Sequence, residues 1–192
     1  MKFGGNFGSI PRGARLTCAL ACVFACLFES LAAQGPKPTE YQVKAAYLSN
    51  LGRYLSWSNR AKPSAEEPFE LCVLGTDPFG PALDAAVTGE SIGGAMLTAR
   101  RINRPQDALN CRVLFVSSSE TGQWDTVRAA LGTASVLTVA DIPDFLKRGG
   151  MIQFVLDGNR VRFEINIAAS GRVGLSLSSE LLKLARAVRR TP

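Results

Sequence analysis

Between Phe69 and Ala140, short apolar runs alternate with short helix-like segments, and this alternation limits the possible folds more than any other feature of the chain. Phe69-Glu-Leu-Cys-Val-Leu-Gly75, Met96 to Ile102, Cys111 to Ser117 and Val136 to Ala140 read as strands. Pro78 to Val87, Glu120 to Leu131 and Ile142 to Arg148 read as helices, the first with Asp77 as N-cap and proline in the first helical position. Cys111-Arg-Val-Leu-Phe-Val-Ser117 is apolar enough to be buried on both faces, as strands of a parallel sheet are. The order predicts a single α/β domain with a mixed, mostly parallel sheet flanked by helices.

After Gly149-Gly150 the pattern changes. Met151 to Asp157 and Arg160 to Ile167 flank Gly158-Asn159, a two-residue turn of hairpin type. Pairing Asp157 with Arg160 sets Leu156 against Val161, Phe154 against Phe163 and Ile152 against Ile165, all apolar and all on one face. The other face carries Val155 with Arg162, Gln153 with Glu164 and Met151 with Asn166. A slip of one residue would destroy that sorting. The hairpin therefore has one face to bury and one polar face available for contact. On composition alone, Glu164 reads as an ordinary solvated cross-strand partner of Gln153 or Arg162.

Helices are expected at both ends of this region. Thr39 and Gln42 form a capping box, and Val43, Ala46, Tyr47, Asn50, Leu51 and Tyr54 recur at helical spacing up to Trp57. Ser58 to Pro68 reads as a polar loop. Ser178 would cap a terminal helix with Leu181, Leu184, Ala185 and Val188 as its apolar stripe. Its Lys183, Arg186, Arg189 and Arg190 would lie where the helix dipole favours positive charge.

Three of the five cysteines, Cys18, Cys22 and Cys26, lie within the uncharged stretch Leu16 to Phe28. Lys2, Arg12 and Arg15 precede it, and the small residues of Ser30-Leu-Ala-Ala-Gln34 follow. These are the parts of a secretory signal, cleaved after Ala32 or Ala33. A lipoprotein signal fits poorly, because Cys26 follows Phe24-Ala25. Residues 1–33 are then a signal peptide, and residues 34–192 form the exported domain. Its one cysteine pair, Cys72 and Cys111, would enter an oxidising compartment, where a disulfide is expected. That bond requires the two strands to be neighbours in a suitable register.

Composition excludes several function classes. With no histidine, Ser-His-Asp and Cys-His nucleophile systems and histidine metal ligands are ruled out. No Walker A loop is present, and Gly93-Gly94 matches no phosphate fingerprint. Loss of the signal lowers the formal net charge of +6 by two units, and the remaining basic charge is too diffuse to suggest nucleic acid. The densest run, Arg100-Arg101-Ile-Asn-Arg104, reads as a solvated strand end. Nothing in the residues calls for a cofactor.

Tyr41-Gln-Val-Lys-Ala-Ala-Tyr-Leu-Ser-Asn50, Trp57, Val73-Leu-Gly-Thr-Asp-Pro-Phe-Gly80 and Cys111 to Glu120 resemble, in order, segments of the YfiR-like family of periplasmic proteins. So do Gly149 to Phe154, Arg162-Phe-Glu-Ile-Asn166 and Gly174 to Ala185. The resemblance implies a non-enzymatic repressor of an inner-membrane diguanylate cyclase, which binds the cyclase's periplasmic domain and lowers cyclic-di-GMP. It also implies sequestration by an outer-membrane lipoprotein, dimerisation, and control through cysteine redox state. Glu164 matches a family position on the partner-contacting surface, which makes Gln153, Arg162, Glu164 and Asn166 the candidate contact residues. The chain departs from the family at Ser58, where a proline often follows the tryptophan, and in lacking a second cysteine pair after Cys111. Many members sit beside sensor kinases, so the expected partner is a diguanylate cyclase first and another sensor protein second. The alternative is a periplasmic small-ligand sensor with a pocket near the carboxyl ends of the parallel strands. A carboxylate-only hydrolase has no visible paired-carboxylate signature.

Overall fold

The computed structural model describes residues 37–58, 60 and 62–190, so the expected signal peptide lies outside the described residues. An eight-stranded sheet organises the fold. Strand β1, Leu55–Trp57, stands apart from it. The central strands are β2 (Phe69–Leu74), β4 (Ala95–Ile102), β5 (Val113–Val116) and β6 (Leu137–Ala140). Between β2 and β4 lies β3, Ser91–Ile92. The hairpin follows as β7, Ile152–Asp157, and β8, Arg160–Asn166. Near the C-terminus are β9, Leu175–Leu177, and β10, Ala187–Arg189. The strand order is β10-β8-β7-β6-β5-β2-β4-β3, parallel from β4 through β7, with β8 antiparallel to β7 and β10 parallel to β8.

Alternation along the buried strands feeds a separate core on each face. Leu71, Val73, Val113, Phe115, Leu137 and Val139 face α1 (Glu40–Leu51) and α2 (Pro81–Val87). Cys72, Leu74, Leu114, Val116 and Ala140 face α3 (Trp124–Leu131) and Phe145. Trp124 and Phe145 stack with ring centroids 4.4 Å apart. Two further short α-helices among the described residues are α4 (Ile167–Arg172) and α5 (Ser179–Leu184).

The hairpin has the expected register at every pair from Ile152 with Ile165 to Asp157 with Arg160. Gly158 and Asn159 both take positive φ, 53° and 61°, as a type I′ turn requires. Leu156 nevertheless lies outside the core, because the hairpin tip projects beyond it. The Thr39–Gln42 capping box also forms, with the Gln42 amide 3.3 Å from Thr39 Oγ1 and the Thr39 amide 2.7 Å from Gln42 Oε1.

Five expectations are corrected. Helix α1 buries Lys44, Ala45, Leu48 and Leu51, while Ala46 and Asn50 of the expected stripe are exposed. It also ends at Leu51, and Leu55–Trp57 pairs antiparallel with Leu175–Leu177 instead of extending the helix. The second helix starts at Pro81, not Pro78, because Asp77 Oδ1 accepts the Phe79 amide in a tight turn and Gly80 takes a positive φ. Ile142 to Arg148 is a series of turns, with Asp144 in the left-handed region at φ 56°, which interrupts helical geometry. The terminal helix stops at Leu184, and Ala187–Arg189 joins the sheet beside β8.

Candidate functional site

Period-two alternation places Gln153, Val155, Arg162 and Glu164 on one face of the hairpin. Ile152, Phe154, Phe163 and Ile165 fill the other, and Tyr47 packs on Phe154 and Phe163 with centroids 6.0 and 5.5 Å away. Arg162 is exposed, and Glu164 is partly exposed. Because β10 lies against β8, Arg186 comes to the same surface, with its guanidinium 3.5 Å from Glu164 Oε1 and 3.9 Å from Asp157 Oδ2. Its amide donates to the Phe163 carbonyl at 2.8 Å. Sequence reasoning missed Arg186 because it assigned that residue to the end of a helix.

The other two candidates do different work. Asn166 is 1% exposed. Its Oδ1 accepts the Ala169 amide at 3.0 Å as the N-cap of α4, and its Nδ2 donates to the Leu146 carbonyl at 3.2 Å. Gln153 Oε1 accepts the Leu146 amide at 3.4 Å. The two side chains clamp both backbone groups of Leu146 and so fix the 142–149 turns beneath the hairpin. The accessible polar surface therefore centres on Arg162, Glu164 and Arg186.

Cys72 and Cys111 form a disulfide, with Cα atoms 6.0 Å apart. It is possible because β2 pairs directly with β5, whose approach segment carries Cys111. Both residues are fully buried. Glu70 brings a carboxylate oxygen within 4.8 Å of the two sulfurs. The Arg100 guanidinium already occupies that space, 3.0 Å from Glu70 and 3.7 and 3.9 Å from the sulfurs of Cys111 and Cys72. With both sulfurs bonded and a fixed cation beside them, the group is unsuited to a metal.

A third cluster sits at the carboxyl ends of β5 and β6. Lys44 is 3% exposed, and its Nζ lies 2.6 Å from Asp141 Oδ2 and 2.5 Å from Glu40 Oε1. Tyr41 Oη donates to the same Asp141 oxygen at 3.0 Å. Burial pushes the Lys44 ammonium down, but its hydrogen bonds to Asp141 and Glu40 outweigh this and hold it above the usual lysine value. Burial, and then the charge of Asp141, raise Tyr41. A cleft of about 510 Å³ adjoins the cluster. The charged groups there are already paired with one another. Between β2 and β5, a side chain at Gly75 would collide with Ser119 and Glu120, so the crevice at that point is closed. No helix among the described residues is long and apolar enough to cross a membrane.

A family profile described as "DUF4154: YfiR/HmsC-like" matches residues 41–186. A conserved domain protein from Vibrio cholerae O1 biovar El Tor has a similar fold, with a TM-score of 0.55 at 10% identity over 79% of this chain and 60% of that one. An ABC domain from Streptococcus pneumoniae, solved with L-Trp, is similar at a TM-score of 0.50 and 11% identity, over 75% of this chain and 60% of that one. The chain thus spans about 60% of the length of both structures, and at these identities the likeness concerns the fold alone.

Proposed function

Because the chain belongs to the YfiR/HmsC-like family, we propose that it is an exported, non-enzymatic regulator that binds the periplasmic domain of an inner-membrane signalling protein. The partner in this reading is a diguanylate cyclase held in its low-activity state, and release raises cyclic-di-GMP and biofilm formation. Residues 1–33 direct export and are removed after Ala32 or Ala33. The mature protein is a homodimer, and an outer-membrane lipoprotein competes for it.

The observation that carries this reading is the polar hairpin face. The hairpin is anchored by its core-facing side, while Arg162, Glu164 and Arg186 stand on the accessible side with charge of both signs. Paired charges at an interface contribute to partner choice and association rate more than to affinity. Gln153 lies at the margin of this face and Asn166 supports it from below. Deleting the gene tests the reading: cellular cyclic-di-GMP and biofilm are expected to rise, and unchanged levels of both would remove the cyclase from the proposal.

A further inference from the structure

A second cleft, of about 470 Å³, lies at the amino ends of β6 and β7, whereas the Lys44 cluster lies at the carboxyl end of β6. It is bounded by the end of α3, the Gly132–Val136 segment, Gly149 to Met151, and α4. Its apolar wall includes Leu131, Val136, Met151 and Val173, all buried. Arg128 and Arg172 both line it, both are exposed, and no carboxylate among the described residues does so. Neither guanidinium makes an ion pair or side-chain hydrogen bond among the described residues, whereas Arg53, Arg101 and Arg148 each meet a carboxylate. The Arg128 stem lies over Gly149, where an added Cβ would sit 3.2 Å from its Cδ, so the arginine is laid along the cleft wall.

Each arginine occupies the last turn of its helix, where positive charge complements the dipole. That accounts for each one separately. It does not account for two guanidiniums sharing one apolar-walled cleft without a counter-charge. Like charges that share a cleft repel, and an anion between them relieves the repulsion with charge-assisted, bidentate hydrogen bonds. The volume is in the range of small-ligand sites.

We propose that this cleft binds a small organic anion, a carboxylate on a compact apolar body, with Arg128 and Arg172 holding the carboxylate and the buried aliphatic wall taking the body. The site is independent of the hairpin face and of the regulator reading. Isothermal titration of the purified exported protein with phenylacetate, 4-methylpentanoate and octanoate tests it, with the neutral amide of each as control. At least one acid is expected to bind with unit stoichiometry, more weakly in high salt, and about tenfold or more tighter than its amide. Arg128→Gln and Arg172→Gln, both at exposed positions, are each expected to weaken binding by about tenfold with the circular dichroism spectrum unchanged. Absence of binding by all three acids at millimolar concentration overturns the proposal. So does binding that neither variant alters. Variants that lower the melting temperature while leaving anion binding intact also overturn it, since the arginines would then serve their helix dipoles alone.

Discussion

Lys44 is buried because Asp141 reaches it from 97 residues downstream, with Glu40 one helical turn away. Removing one member of such a cluster leaves a charge in a poorly solvated place, and Asp141→Ala is expected to cost about 3 kcal/mol in urea unfolding. The double variant Lys44→Met/Asp141→Leu should recover most of that loss, because it removes both charges. Both raised groups give the same sign of pH dependence. Their folded values lie above the ordinary 10.5 and 10.0, so the stability they contribute is present below those values and is lost as the pH rises through the folded ones. The urea midpoint should fall above about pH 10, and Asp141→Asn should flatten that fall; an identical alkaline profile in the variant would contradict the assignment. In the sequence, Lys44 looks like any solvated helix residue, and only its i,i+4 relation to Glu40 was visible. Asn166 misled in the opposite direction: alternation placed it on the polar face, but a buried cap and the Leu146 carbonyl take its side chain. Asn166→Ala should therefore lower stability by about 1–2 kcal/mol, whatever its effect on a partner.

The register of the hairpin was legible because its signals are local: a two-residue Gly-Asn turn and an alternation that tolerates one register. The Thr39 cap and the central strands were legible for the same reason. Three-residue strands were not, since β1 finds β9 across more than a hundred residues and has no pattern of its own. The terminal segment kept a helical spacing through Val188, yet after Leu184 the free edge of β8 offered backbone hydrogen bonds that one more helical turn could not match. Ending the chain after Ala185 should expose that edge, speed hydrogen exchange at Ile165, the residue paired with Val188, and promote aggregation; unchanged exchange there would show that β10 contributes nothing to the sheet. The Cys72–Cys111 bond joins positions 39 residues apart, a closure of about 4 kcal/mol in the chain-entropy model. Reduction should lower the melting temperature markedly, and thiol labelling of the unreduced protein in denaturant should fail.

At the scale of the molecule, the sheet is covered by helices over its centre and left with a polar face at the hairpin end. The described residues thus present a charged surface beside β8 at that end. The sequence located that surface through the hairpin and the family resemblance, but assembled it incompletely, because Arg186 arrives only through the pairing of β10 with β8. Charge reversal at this face is the direct test. In a strain lacking the gene, the wild-type chain and an Arg162→Glu/Glu164→Arg variant would be expressed at matched periplasmic levels, and cellular cyclic-di-GMP measured. The account predicts that the wild type restores the low level and the variant, exported and with an unaltered melting temperature, leaves it high. A variant that restores the low level as fully as the wild type would contradict the hairpin face as the partner surface.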